Sequence, residues 1–193
     1  MRKSIFFGGI LAVSVAYAET GIPTQYEPHP DAPAGLQQFG QLAGEWLCAA
    51  EMPDGEGNWV KRPHRASWNL YYINDGFAVQ DVWDPLYENP DKTITPRTGT
   101  NLRVYNPETN SWMAYWTVGK KPVAEVYVVK QEGDDMVMRR DHPGDANQPP
   151  HKAKITFFNI TEEKFDWRYE GAPLDDQENF NEQFRLFCEK QKG

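Results

Sequence analysis

From Gly44 to Glu189 the chain is written in short segments where aromatic and β-branched residues alternate with polar ones, separated by turn residues. Period-two alternation places one set of side chains on one face of an extended strand, and segments this short leave no room for crossover helices between parallel strands. Extended segments run over 45–52, 59–62, 64–73, 77–84, 100–105, 111–118, 123–131, 135–141, 152–161, 164–170 and 179–189. Asn74-Asp75-Gly76 is a strong hairpin signal, because these residue types tolerate positive φ. The expectation is an all-β fold of about ten antiparallel strands in an up-and-down barrel, a sandwich being the other architecture such spacing allows. A short helical turn over 36–42 precedes the strands, with Leu36 and Phe39 at helical spacing. Two connections, 85–98 and 142–151, exceed hairpin length, and loops of that size often act as lids.

The faces sort where alternation is clean. Ala66, Trp68, Leu70 and Tyr72 oppose Arg65, Ser67 and Asn69. Phe165, Trp167 and Tyr169 oppose Asp166, Arg168 and Glu170. Phe180, Phe184, Leu186 and Cys188 oppose Asn181, Gln183 and Arg185. An apolar interior and a charged exterior suit a barrel in water and invert the pattern of a membrane barrel.

Residues 1–18 read as a secretory leader: Arg2 and Lys3, then the apolar run IFFGGILAVSV, then Ala16-Tyr17-Ala18 as the cleavage signal. The apolar run is too short for a bilayer span of roughly 20 residues. Residues 19–41 form an N-terminal tail with four prolines and the short helix, and 42–193 the barrel domain. Of the 193 residues, an 18-residue leader leaves 175, enough for one core. The formal charge of −8 becomes −10 once Arg2 and Lys3 are gone. An acidic chain with scattered Lys and Arg is a poor partner for nucleic acid or anionic membranes. A periplasmic or secreted location is expected, without membrane insertion.

Cys48 and Cys188 lie near opposite ends of the folded region, on faces shared with Trp46 and Leu186. Two thiols in an oxidising compartment usually pair, and in an even-stranded antiparallel barrel the first and last strands are neighbours. A Cys48–Cys188 disulfide is therefore expected, two separate buried thiols being the other reading.

Three stretches then resemble a known family. LAGEW (42–46), ASWNLYYINDGFAVQDVWD (66–84) and LRVYNPETNSWMAYW (102–116) are similar to DUF1579, a bacterial family of lipocalin-like barrels. The resemblance implies a barrel in which a helical turn leads into Gly-x-Trp and Trp46 plugs the closed end. It carries no reaction with it, and the leader and the cysteine pair depart from it.

Motifs for nucleophilic, phosphate-binding or zinc-protease chemistry are absent, and no cofactor or metal is expected. His142 and His151 sit at the two ends of one loop and read as solvated. A metal or haem role is the alternative, although a metal site asks for three or four ligands. The informative residues are polar ones on interior faces. Asp81 shares a face with Val79 and Trp83, Arg140 with Met136 and Met138, and Glu125 and Tyr127 with Val123 and Val129. A buried charge costs several kcal/mol unless paired. Either Arg140 pairs with Asp81 or Glu125, or its fork holds the acidic head of a largely apolar ligand lying against Tyr72, Tyr127, Trp116 and Trp167. The candidate ligand-binding residues are thus Arg140, Asp81, Glu125, Tyr72, Tyr127, Trp116 and Trp167. They point to a binding or carrier barrel for a small apolar or amphipathic molecule. A small-molecule enzyme of isomerase or hydrolase type using the same cavity, and a filled barrel serving as a protein-interaction module, are the alternatives.

Overall fold

The computed structural model describes residues 26–85, 98–120, 123–145, 149–176 and 179–191. The expected leader at 1–18 and nearly all of the expected lid at 85–98 lie outside the described residues. Ten strands follow a short helix: β1 (Gly44–Pro53), β2 (Trp59–Ile73), β3 (Ala78–Asp84), β4 (Gly99–Asn106), β5 (Ser111–Val118), β6 (Glu125–Glu132), β7 (Asp135–His142), β8 (His151–Phe158), β9 (Lys164–Pro173) and β10 (Asn181–Lys190). Each pairs antiparallel with its sequence neighbour, and β1 pairs with β10, so the sheet closes into a barrel without edges. The lipocalin-like all-β reading holds.

Turn chemistry is where the alternation ends. At the β2–β3 corner Asn74, Asp75 and Gly76 all take positive φ, 52°, 54° and 91°, which these residues adopt at least cost. Asn110 and Asn159 do the same at the β4–β5 and β8–β9 corners.

Sequence reading separates 59–62 from 64–73, and Pro63, which cannot donate to a ladder, lies between them. The structure joins them into one long β2. Ala49 faces Arg65 and Glu51 faces Lys61, so Arg62, Pro63 and His64 stand opposite Ala50 alone. Pro63 therefore falls in a bulge, where no ladder hydrogen bond is asked of it.

The barrel has a filled end and an open end. At the filled end a 3-10 turn (Ala34–Leu36) and α1 (Gln37–Gly40) lie across the barrel, burying Leu36, Phe39 and Leu42. Phe39 meets Trp112 and Phe157 edge-on at 5.2 and 5.5 Å. Trp46 is fully buried beside it, edge-on to Phe165 at 4.8 Å, and its Nε1 donates to the Leu42 carbonyl at 2.9 Å. The Gly-x-Trp plug lies where the resemblance implies. Gln38 ties the helix to the β4–β5 corner, accepting from Trp112 Nε1 at 2.9 Å and donating to Asn110 at 3.0 Å.

Cys48 and Cys188 are register partners on β1 and β10, and a disulfide joins them. The last strand is thereby bonded to the first.

Candidate functional site

Inward side chains fill the helix end of the barrel, but not the other. A cavity of about 300 Å³ occupies the half away from α1, walled by Trp68, Trp83, Trp116 and Trp167 with Ile155, Phe184 and Leu186. These residues come from six strands, each placed inward by the same alternation that defines its strand. The wall is apolar with a few polar groups: Asn101, Arg103, Glu125, Tyr127, His142 and Tyr169.

Deep in the barrel, β3 and β4 bring Asp81 opposite Asn101. Asp81 Oδ1 accepts from the Asn101 backbone N–H at 2.9 Å, and its Oδ2 lies 2.6 Å from Arg103 Nη1. Both side chains of this ion pair are without exposed surface. The Arg103 guanidinium also stacks over Phe39 and Phe157, at 4.7 and 5.8 Å from the ring centres. Dispersion and the ring quadrupoles offset part of its desolvation.

Nearer the opening, Arg140 Nη1 is 3.0 Å from Glu125 Oε2, and its guanidinium lies 5.3 Å from the Tyr127 ring centre. Tyr127 donates to the same carboxylate oxygen at 3.3 Å. Burial, and then the Glu125 charge, push the Tyr127 hydroxyl well above the ordinary tyrosine range, so it remains a donor. Burial likewise raises Tyr169.

His142 and His151 do not behave as solvated loop residues. They end β7 and begin β8, face each other in register, and stack with ring centres 4.6 Å apart. His142 is buried and lines the cavity. Its Nδ1 accepts from the Gly144 backbone at 2.9 Å, placing the neutral ring's proton on Nε2. His151 Nδ1 lies 3.0 Å from the Pro149 carbonyl and donates to it; in the neutral ring Nε2 then accepts from the Tyr169 hydroxyl at 2.9 Å. Burial, Arg140 and His151 all hold His142 below its ordinary value. Among the described residues, no group of three or more His, Cys, Asp or Glu converges as a metal site.

Of the residues singled out from sequence, Trp116, Trp167, Glu125 and Tyr127 line the cavity. Asp81 lies behind the wall, against Arg103. Arg140 is not part of the lining: of the two pairings open to it, Glu125 is the one made. Tyr72 lies at the filled end, where its hydroxyl packs against Gly40, outside the cavity lining. Arg103 and Asn101 are the polar residues that sequence reading misses. The signal was register: Asp81 faces inward, so its partner Asn101 does too, and Arg103 follows two residues on.

No protein-family model matches the sequence, and no curated protein does. Among solved structures the barrel is similar to Rv2717c from M. tuberculosis, with a TM-score of 0.53, 10% identity, and 84% of this chain and 100% of that chain covered. It is also similar to the S-type phycobiliprotein lyase CPES from Guillardia theta, with a TM-score of 0.50, 10% identity, and 81% and 92% covered. At such identity the likeness is one of fold, and the chain has the architecture of a lipocalin-like barrel.

Proposed function

We propose that this chain is an exported, DUF1579-like binding or carrier protein that holds a small, largely apolar molecule in its barrel. The observation that carries the reading is the four-tryptophan cavity in the half of the barrel that α1 does not fill. Ligand sites are concave and mostly apolar, with a few polar groups to orient the occupant, and this wall has that composition. A core built for stability alone would close such a space, since each lost contact costs dispersion energy. The leader-like first 18 residues and the disulfide support a periplasmic or secreted location.

Native mass spectrometry of protein exported with its own leader tests both parts. The expected result is a chain starting at Glu19, two mass units lighter than its reduced form and carrying a small molecule lost on denaturation. Titration with 2-ethylnaphthalene should also quench tryptophan emission saturably. An uncleaved chain would remove the export assignment. Strictly linear quenching, with no co-purified mass, would remove the binding assignment.

A further inference from the structure

Three residues that line the cavity hold buried polar atoms without hydrogen-bond partners among the described residues: Trp68 at Nε1, Asn101 at Oδ1, and Arg103 at Nε, Nη1 and Nη2, where Nη1 has only its ion-pair contact with Asp81. Arg103 is the most telling. Asp81 meets it at Nη1, and the Nε–Nη2 edge is the side of the guanidinium that forms two parallel hydrogen bonds with oxygen. Leaving such donors unmet in a dry interior costs about 1–3 kcal/mol each, and more on a charged group. Apolar packing at Arg103 and Asp81 would avoid that cost entirely.

The charge balance says what kind of oxygen belongs there. The guanidinium already has its counter-charge in Asp81, with no exposed surface on either. The second arginine near the cavity is likewise matched, to Glu125. His142 is held towards its neutral form. Among the described residues lining the cavity, a carboxylate would meet a further negative charge in Asp81 and no cation without a counter-charge of its own. A neutral carbonyl oxygen would accept from Arg103 and add no charge. Building on the binding reading, we propose that the cavity selects a neutral, ring-containing molecule whose carbonyl oxygen accepts from Arg103 Nε and Nη2, and that it discriminates against the corresponding acid. This departs from the acidic head expected for Arg140.

Three probes of one shape decide it: 2-acetylnaphthalene, which has the carbonyl, 2-ethylnaphthalene, which lacks it, and 2-naphthoate, which is charged. Calorimetric titration of the disulfide-bonded protein near neutral pH should give the ketone at least about tenfold tighter binding than the hydrocarbon, the worth of a hydrogen bond to a charged donor. The naphthoate should bind more weakly than the ketone. In Asp81→Asn/Arg103→Met, which removes both charges together, the preference for ketone over hydrocarbon should vanish. Should that variant fail to fold, the affinity order of the three probes on the unaltered protein is sufficient by itself. Naphthoate as the tightest probe, or equal affinity for ketone and hydrocarbon, overturns the carbonyl assignment and leaves the binding reading intact. Binding of none of the three overturns both.

Discussion

The rings of His142 and His151, register partners on adjacent strands, lie 17° from parallel with centres 4.6 Å apart, beside Arg140. A proton added to His142 is resisted by burial and by two neighbouring groups. In the unfolded chain the same ring titrates near 6.5. As pH falls through that value the unfolded chain takes up the proton first, so it binds more protons than the folded chain and stability declines. The contribution is whole above the unfolded value and gone below the lowered folded one. Urea midpoints on either side of pH 6.5 should therefore drop on the acid side, and His142→Gln should flatten that drop. An unchanged slope in the variant would remove His142 as its source.

The disulfide closes a loop with a sequence separation of 140. In the chain-entropy treatment, a link of that span stabilises by about 4–5 kcal/mol. Cys48→Ala/Cys188→Ala should lose that amount in chemical denaturation while keeping its strand circular dichroism. Alkylation of the unreduced, unfolded protein should label neither cysteine. Label on both would show that the bridge does not form.

Trp46 has almost no exposed surface and fills the helix end of the barrel. Trp46→Ala deletes that volume and the hydrogen bond to Leu42, a loss of about 3–5 kcal/mol. A thermal midpoint equal to that of the unaltered protein would contradict the plug.

At the same end, burial pushes the Tyr72 hydroxyl up to about 12. The hydroxyl is buried without a hydrogen-bond partner among the described residues. Removing a polar atom that makes no bond is neutral or stabilising. Tyr72→Phe should therefore leave the thermal midpoint unchanged or raise it, and leave 2-ethylnaphthalene affinity as it was. A tenfold loss of affinity would place Tyr72 in the binding site after all.

The strands were legible because Trp68-Asn69-Leu70 and Phe165-Asp166-Trp167 alternate cleanly between core and water. The bridge was legible because closing an up-and-down barrel requires its ends to meet. Arg103 was hidden for a physical reason. On β4, Leu102 and Val104 are the apolar set, and a rule that sends apolar residues inward buries them. In the structure Val104 is 41% exposed and Arg103 0%, because the register set by Asp81 and Ala114 decides the face of that strand. The histidines were hidden similarly. Two residues at loop ends read as solvated until strand pairing turns them towards each other.

The β1–β10 seam has a bearing on the order of assembly. Every other strand pair joins sequence neighbours, so nine hairpins can form locally as the chain emerges. The seam alone must wait until β10 has been made, and long-range pairing of this kind is the slow event. Cys48 therefore has no native partner until Cys188 arrives, and no third cysteine competes for it. Oxidation of this pair should consequently lag behind hairpin formation, and the bridge acts as a latch that records completion of the barrel.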